Sequence, residues 1–140
     1  MKHRFEIIVN ISIPIIIGTA IYIIFSPNIY VTKYFWKMIH FPNPFYDIDI
    51  MSMPIVIRLM RFYLCDALWT YSLTYSVISI IGKNDVKSII KGCYISVAFL
   101  IVIEVAQIFM VLPGTFDYFD LLIQIITSIV TGIIYNKRRV

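Results

Sequence analysis

The sequence predicts an all-α polytopic membrane protein, with about four transmembrane helices in a small bundle. Of its 140 residues, 60% are hydrophobic and only 14% are charged, and the mean hydropathy is +0.86. A soluble domain of this size needs far more polar surface, so these values indicate the membrane class. The apolar residues also fall into separate runs close to the length of about 20 residues that a helix needs to cross a bilayer.

These runs set the predicted spans within a single membrane domain over residues 1–140. The first run shows no small-x-small cleavage site, so we expect it to be retained as a helix, with a kink at Pro14. The second run leaves open a start as early as Pro54. The predicted spans are residues 5–25, 63–82, 88–112 and 117–136.

The long connection between the first two spans, residues 26–62, is not an ordinary loop. Its segment Ile29 to Phe41, IYVTKYFWKMIHF, is aromatic and basic, which is typical of a segment that lies in the headgroup layer. The proline-rich turn FPNPFYD follows it. We therefore expect an interfacial segment on the outer side of the membrane.

The basic residues predict the orientation of the chain. On one predicted side lie Lys2, Arg4, Lys83, Lys87, Lys91, Lys137, Arg138 and Arg139, and on the other lie Lys33, Lys37, Arg58 and Arg61. Cytoplasmic loops carry an excess of Lys and Arg, so we predict that both termini are cytoplasmic. The net charge of +4 is spread over these flanks, which indicates contact with the lipid bilayer and no nucleic-acid partner.

Polar residues from three predicted spans converge on the outer half of the membrane. Asp66 begins the second span, Glu104 lies near the end of the third, and Asp120 begins the fourth. A charge at the bilayer centre costs about 2.5–3.5 kcal/mol, so these side chains should face the bundle interior or water. We take Glu104, Asp66 and Asp120 as candidate catalytic residues. The candidate binding residues are Arg58, Arg61, Trp69, Gln107, Asp117 and Gln124.

Several of these residues also have a structural interpretation. Asp117 can cap the fourth helix, and Asp66 can pair with Arg61 at the headgroup level. A purely structural role is hardest to defend for Glu104, because it lies well inside an apolar run.

The sequence does not identify a cofactor. Carboxylate and amide oxygens are ligands that hard cations prefer, so the cluster could hold Mg²⁺ or Ca²⁺. The predicted topology places Cys65 and Cys93 on opposite sides of the membrane, which argues against a disulfide or a cysteine metal site between them. No nucleophile motif is visible, so the sequence names no reaction and leaves open whether the protein is an enzyme.

The order of the polar residues resembles that of VanZ-like membrane proteins. The pattern E-x-x-Q at Glu104 precedes a glycine-led turn and D-x-x-D at Asp117, and CDALWTY from Cys65 resembles the family's preceding Asp-bearing helix. The resemblance covers about Arg61 to Tyr135. The chain departs from the family at Gln124, where Asn is frequent, at Thr127, where Gly is frequent, and by lacking a His in the second-helix region.

The resemblance implies a small protein of the bacterial cytoplasmic (inner) membrane, with a namesake linked to glycopeptide (teicoplanin) resistance. One hypothesis is an outer-leaflet site that binds or acts on a cell-envelope lipid, headgroup or glycan precursor. The alternative is a non-enzymatic accessory or structural subunit whose buried polar residues lock the helices and bind a partner. A proton- or ion-coupled carrier is less favoured, because the sequence shows no matching inner polar path and no internal repeat.

The predicted orientation can be tested by cysteine accessibility. A membrane-impermeant thiol reagent should label a cysteine placed at Thr115, in the outer loop, and should not label one placed at Ser88, near the inner loop. The reverse pattern would contradict the orientation inferred from the basic residues.

Overall fold

The structure of the protein is a computed structural model that describes residues 2–25, 30–40, 54–81, 85–111 and 116–138. Within these ranges the chain forms helices and no β-strand. The helices are α1 (Lys2–Phe25), α2 (Tyr30–Met38), α3 (Ile55–Ile81), α4 (Val86–Ile108) and α5 (Tyr118–Lys137). All except α2 are long and apolar enough to cross a membrane, so the predicted all-α membrane class is confirmed.

Helix α3 begins at Ile55, which is earlier than the predicted start at Tyr63 and agrees with the start at Pro54 that the sequence left open. The carbonyl of Pro54 accepts the N–H groups of Ile57 and Arg58, at 2.9 and 3.2 Å. Proline is well suited to a helix start, where its missing N–H is not needed. The residues from Ile55 onward that were predicted to be interfacial therefore belong to α3, which contains a π-helical turn at Met60–Leu64.

Helix α4 ends at Ile108, before the predicted limit of residue 112. The N–H groups of Met110 and Val111 turn back to the carbonyls of Gln107 and Ala106, at 3.0 and 2.9 Å. Met110 has φ of 54°, which is the left-handed conformation of a Schellman C-cap. The Pro-Gly turn that follows lies outside the described residues.

The connection between α1 and α3 contains the short helix α2. Helix α2 lies within the connection predicted to be interfacial, and its Trp36 Nε1 donates a hydrogen bond to the Ile23 carbonyl of α1 at 3.2 Å. Lys33, Tyr34 and Lys37 are exposed, which is expected of an amphipathic helix at a headgroup layer. The predicted FPNPFYD turn lies outside the described residues.

Pro14 lies inside α1, which continues past it.

The four long helices alternate in direction, and α3 contacts α1, α4 and α5. The antiparallel packing of α1 and α3 follows from two contacts. Cys65 Sγ donates to the Gly18 carbonyl at 3.4 Å, and Ser72 Oγ donates to the Ile11 carbonyl at 2.8 Å. The termini of the chain consequently share one end of the bundle, and the α4–α5 connection lies at the other.

Small polar side chains fill the centre of the bundle. Those with at most 1% of their surface exposed are Thr70, Ser72, Thr74, Ser96, Ser128 and Thr131. Most bond within the bundle; Thr74 Oγ1 donates to Ser128 Oγ at 3.3 Å, and Ser96 Oγ donates to the Gly92 carbonyl at 3.0 Å. Small residues allow helices in a membrane to approach closely, and internal bonds satisfy their hydroxyls.

At the end that holds the chain termini, a second polar group joins α1, α3 and α5. Asn10 Oδ1 accepts hydrogen bonds from Tyr71 Oη and Arg138 Nη1, both at 2.7 Å. Beside them, the rings of Tyr75 and Tyr135 pack edge to face with centroids 5.0 Å apart. We call these five residues the terminal cluster. The sequence analysis did not anticipate polar contacts at this end of the bundle.

The structure also refines the topology experiment. Both Cys65 and Cys93 are free thiols, so both need to be replaced before reporter cysteines are introduced. The Ser88 side chain is buried, with 9% of its surface exposed, and a cysteine there would escape labelling on either side of the membrane. Val86 is exposed and is the better position for the inner reporter.

Replacing Gly92 by alanine should destabilise the bundle. A Cβ at Gly92 would lie 2.6 Å from Ile78 Cγ1 and 3.2 Å from the Ile78 Cα, so α3 and α4 would have to separate. Overpacking of this kind typically costs about 1–3 kcal/mol. The melting temperature in detergent should therefore fall for Gly92→Ala and change little for Ala98→Val, an enlargement at an exposed position of α4. Equal melting temperatures for the two variants would contradict the close packing described.

Candidate functional site

The antiparallel packing of α4 and α5 places Glu104 beside Gln124. Gln124 Nε2 donates a hydrogen bond to Glu104 Oε1 at 3.1 Å. Both side chains are deeply buried, with 5% and 6% of their surfaces exposed. Gln107 lies three residues after Glu104 on the same helix, whereas the hydrogen-bonding partner of Glu104 comes from the next helix.

The remaining oxygen of each side chain has no hydrogen-bond partner among the described residues. Glu104 Oε2 and Gln124 Oε1 are both buried and accept no hydrogen bond. Leaving a buried acceptor unsatisfied costs about 1–3 kcal/mol. With the Glu104 carboxyl group ionised, both open positions are acceptors, since an amide oxygen and a carboxylate oxygen donate nothing. The pair therefore lacks hydrogen-bond donors to these two oxygens among the described residues.

Two further carboxylates lie within electrostatic range of this pair. The charges of Asp120 and Glu104 act on Asp66, and the charges of Asp117 and Glu104 act on Asp120. Asp66 and Asp120 are partly exposed, whereas Glu104 is buried. We call Asp66, Glu104 and Asp120 the carboxylate cluster. It brings together one acid from each of α3, α4 and α5, all three of which the sequence analysis had selected.

Protein-family models, curated proteins and solved structures were searched, and none matches this chain. The function of the site must therefore be argued from its own geometry.

Asp117 begins α5 as its N-cap. Its Oδ1 accepts the N–H of Phe119 at 2.9 Å, and its backbone is extended. A side-chain oxygen in this position satisfies a helix N–H that has no partner within the helix. This is the structural role that the sequence had left open for Asp117. The cap also fixes the first turn of α5, on which Asp120 lies.

Trp69 packs toward α1. A Cβ built on Gly18 would lie 2.8 Å from Trp69 Nε1, so the indole occupies the space that the glycine leaves. The ring centroids of Trp69 and Tyr22 are 5.5 Å apart. Trp69 follows Asp66 by three residues, which places both on the same side of α3, and its large ring occupies the space beside Gly18.

The other predicted binding residues, Arg58, Arg61 and Gln107, are partly buried on α3 and α4. The Arg61 guanidinium lies 4.8 Å from the centroid of the Phe62 ring, and its charge acts on Tyr22 and Cys65. Arg58 is partly buried in the first turns of α3. Gln107 is also partly buried, and its carbonyl accepts the Met110 N–H at the end of α4.

The geometry does not supply a metal cage. Among the described residues, no group of three or more His, Cys, Asp or Glu side chains is placed to hold a metal ion. Ca²⁺ takes six to eight oxygen ligands and Mg²⁺ six, and water can supply some of them in either case. What the cluster offers is hydrogen-bond acceptors and negative charge.

Sequence reasoning missed the terminal cluster. Asn10 is 5% exposed and accepts two hydrogen bonds, yet it was not selected as a polar residue of interest. A signal was present, since Asn10 is the one amide in the apolar run of the first span. Its partners Tyr71 and Arg138 gave no comparable signal, because tyrosines and terminal arginines are common as membrane anchors.

The Glu104–Gln124 pair makes a prediction about stability. Gln124→Leu should lower the free energy of unfolding by about 1–3 kcal/mol, because it leaves both oxygens of a buried carboxylate unsatisfied. Glu104→Leu together with Gln124→Leu should recover most of that loss, since an apolar pair has nothing left to satisfy. Thermal unfolding of the three proteins in detergent measures both effects. If the double variant were the least stable, the pair would be a net stabilising contact and the argument would fail.

Proposed function

We propose that this protein is a small bacterial membrane protein of the VanZ-like type that binds the polar headgroup of a cell-envelope lipid or lipid-linked glycan precursor. The binding group is the carboxylate cluster together with Gln124. The observation that carries the proposal is the burial of Glu104 and Gln124, each with one acceptor oxygen that has no donor among the described residues.

The cost of this arrangement supports binding over simple packing. Burying an ionisable side chain in a membrane is expensive, and such residues usually line a site or a water-filled cavity. Elsewhere in the bundle, the hydroxyls of Thr74, Ser96 and Thr131 each donate to a neighbouring oxygen. If Glu104 served only to pack the helices together, a serine or threonine hydroxyl of this kind could replace it at lower cost.

The position of the cluster fits a headgroup ligand. It lies toward the end of the bundle away from the chain termini, and its two partly exposed acids are Asp66 and Asp120. The predicted orientation puts that end at the outer face, where envelope precursors are displayed. The VanZ-like resemblance, whose namesake is linked to teicoplanin resistance, makes this resistance the phenotype to measure.

Binding is the activity that these groups support most directly. Buried carboxylates can also transfer protons as general acids or bases. A reaction, however, also requires a bond of the ligand to be broken, and the geometry of the cluster does not identify such a bond. We therefore assign recognition of the headgroup to the cluster and leave catalysis out of the proposal.

An accessory role is the second candidate, and a groove between α4 and α5 favours it. The groove has a volume of about 430 Å³ and is lined mainly by apolar side chains. The residues along it include Ile89, Ile90, Val97, Ile125, Ile129 and Ile133. A transmembrane helix of a partner protein could occupy such a groove, with Gly132 allowing close approach.

The substitution Glu104→Gln separates the two roles. The amide keeps the size of the side chain and an oxygen that can accept from Gln124, but it removes the charge. We expect normal membrane levels and an unchanged melting temperature, with loss of teicoplanin resistance in a host that depends on this protein.

The matched control is Glu6→Gln, the same chemical change at an exposed position of α1, which should leave resistance unchanged. Full resistance with Glu104→Gln would remove the reason for placing a binding site at the cluster. Loss of resistance together with loss of folded protein in the membrane would favour the accessory role.

A further inference from the structure

We propose that the chemical group held at the carboxylate cluster is an alkylammonium, R–NH₃⁺, and not the phosphate or carboxylate part of an envelope molecule. This inference rests on the proposed function and specifies the class of ligand that the site takes. Suitable ligands present a primary amine on a flexible stem, as an ethanolamine headgroup or an amino-acid side chain does.

The hydrogen-bonding inventory of the site is the first argument. Gln124 already donates to Glu104 Oε1, and the open positions that remain are the acceptors Glu104 Oε2 and Gln124 Oε1. A ligand that completes the pair must therefore donate at least twice. An ammonium group has three donors and no acceptor, whereas an ionised phosphate or carboxylate offers acceptors only.

Electrostatics is the second argument. The described charges that act on Asp66 are those of Asp120 and Glu104, and those that act on Asp120 are Asp117 and Glu104. All of these neighbours are acids, and like charges at such range disfavour one another. A bound cation would relieve this repulsion, and an anion would add to it. Hydrogen bonds from an ammonium to a carboxylate are also about twice as strong as neutral ones.

Two other ligand classes fit less well. A sugar can place two hydroxyl donors on the open oxygens, but it leaves the negative charge of the cluster uncompensated. A divalent metal ion would compensate the charge, but the described residues do not form a group of ligands for one. Asp66 and Asp120 are partly exposed, whereas Glu104 is buried. A ligand that reaches Glu104 from the exposed acids is better served by a narrow ammonium group on a flexible stem than by a sugar ring.

The inference is tested with the full-length protein in nanodiscs of phosphatidylglycerol. The three probes are phosphatidylethanolamine, N-acetyl-phosphatidylethanolamine and soluble ethanolamine, and the readouts are the melting temperature and retained lipid by native mass spectrometry. We expect phosphatidylethanolamine to raise the melting temperature and to be retained, and the N-acetylated lipid to do neither, because acetylation removes the charge and all but one donor. If soluble ethanolamine raises the melting temperature as much as phosphatidylethanolamine does, the natural ligand is a soluble amine. If soluble ethanolamine has no effect, the natural ligand is the lipid.

Variants connect the effect to the cluster. Glu104→Gln should weaken the apparent affinity for phosphatidylethanolamine about tenfold or more, because it replaces a charge-assisted hydrogen bond by a neutral one. Asp66→Asn, which lies at the partly exposed edge, provides a second variant if Glu104→Gln does not fold. Glu6→Gln should bind like the unmodified protein.

Equal effects of phosphatidylethanolamine and its N-acetylated form would overturn the ammonium assignment. If phosphatidylglycerol or the N-acetylated lipid were retained in a manner that depends on Glu104, the ligand class would be wrong while the proposed function remained. If no probe bound in a manner that depends on Glu104 or Asp66, both the ligand class and the binding site would be rejected.

Discussion

The absence of water from the hydrocarbon core of a bilayer is the constraint on which this structure depends. Every polar group in the spans must find a partner inside the bundle or face an aqueous opening. The hydroxyls of Thr74 and Ser96 meet this requirement by donating to neighbouring oxygens, and Asn10 meets it through bonds to α3 and α5. Glu104 meets it only in part, since one carboxylate oxygen is bonded and the other is not.

Close helix contacts determine which polar groups can meet. Helix α3 packs against every other long helix, and Gly92 of α4 lies directly against its Ile78. The Cys93 thiol fills the corresponding space beside Gly132 of α5. These contacts set the register between helices, and the same register brings Glu104 of α4 level with Gln124 of α5. The buried pair is thus a consequence of small residues several turns away.

Much of the fold could be predicted from the sequence, because span length and hydropathy reflect the thickness of a bilayer directly. The convergence of Asp66, Glu104 and Asp120 also followed from alternating helix direction. The partner of Glu104 could not be predicted in this way. The angular position of a residue on one helix shows which face it lies on, but choosing Gln124 over Gln107 requires the register between two helices. The contact of Trp69 with α1 could not be predicted for a related reason, since it depends on the space left by Gly18.

The two polar ends of the bundle differ in a way that separates locking from binding. In the terminal cluster, the side chain of Asn10 is paired at both ends, because its oxygen accepts from Tyr71 and Arg138 while its amide nitrogen donates to the Glu6 carbonyl. These bonds connect three helices. In the carboxylate cluster, two buried acceptors have no donor among the described residues, and the charges that act on Asp66 and Asp120 are those of other acids. Buried acceptors without donors are suited to a ligand that supplies the donors.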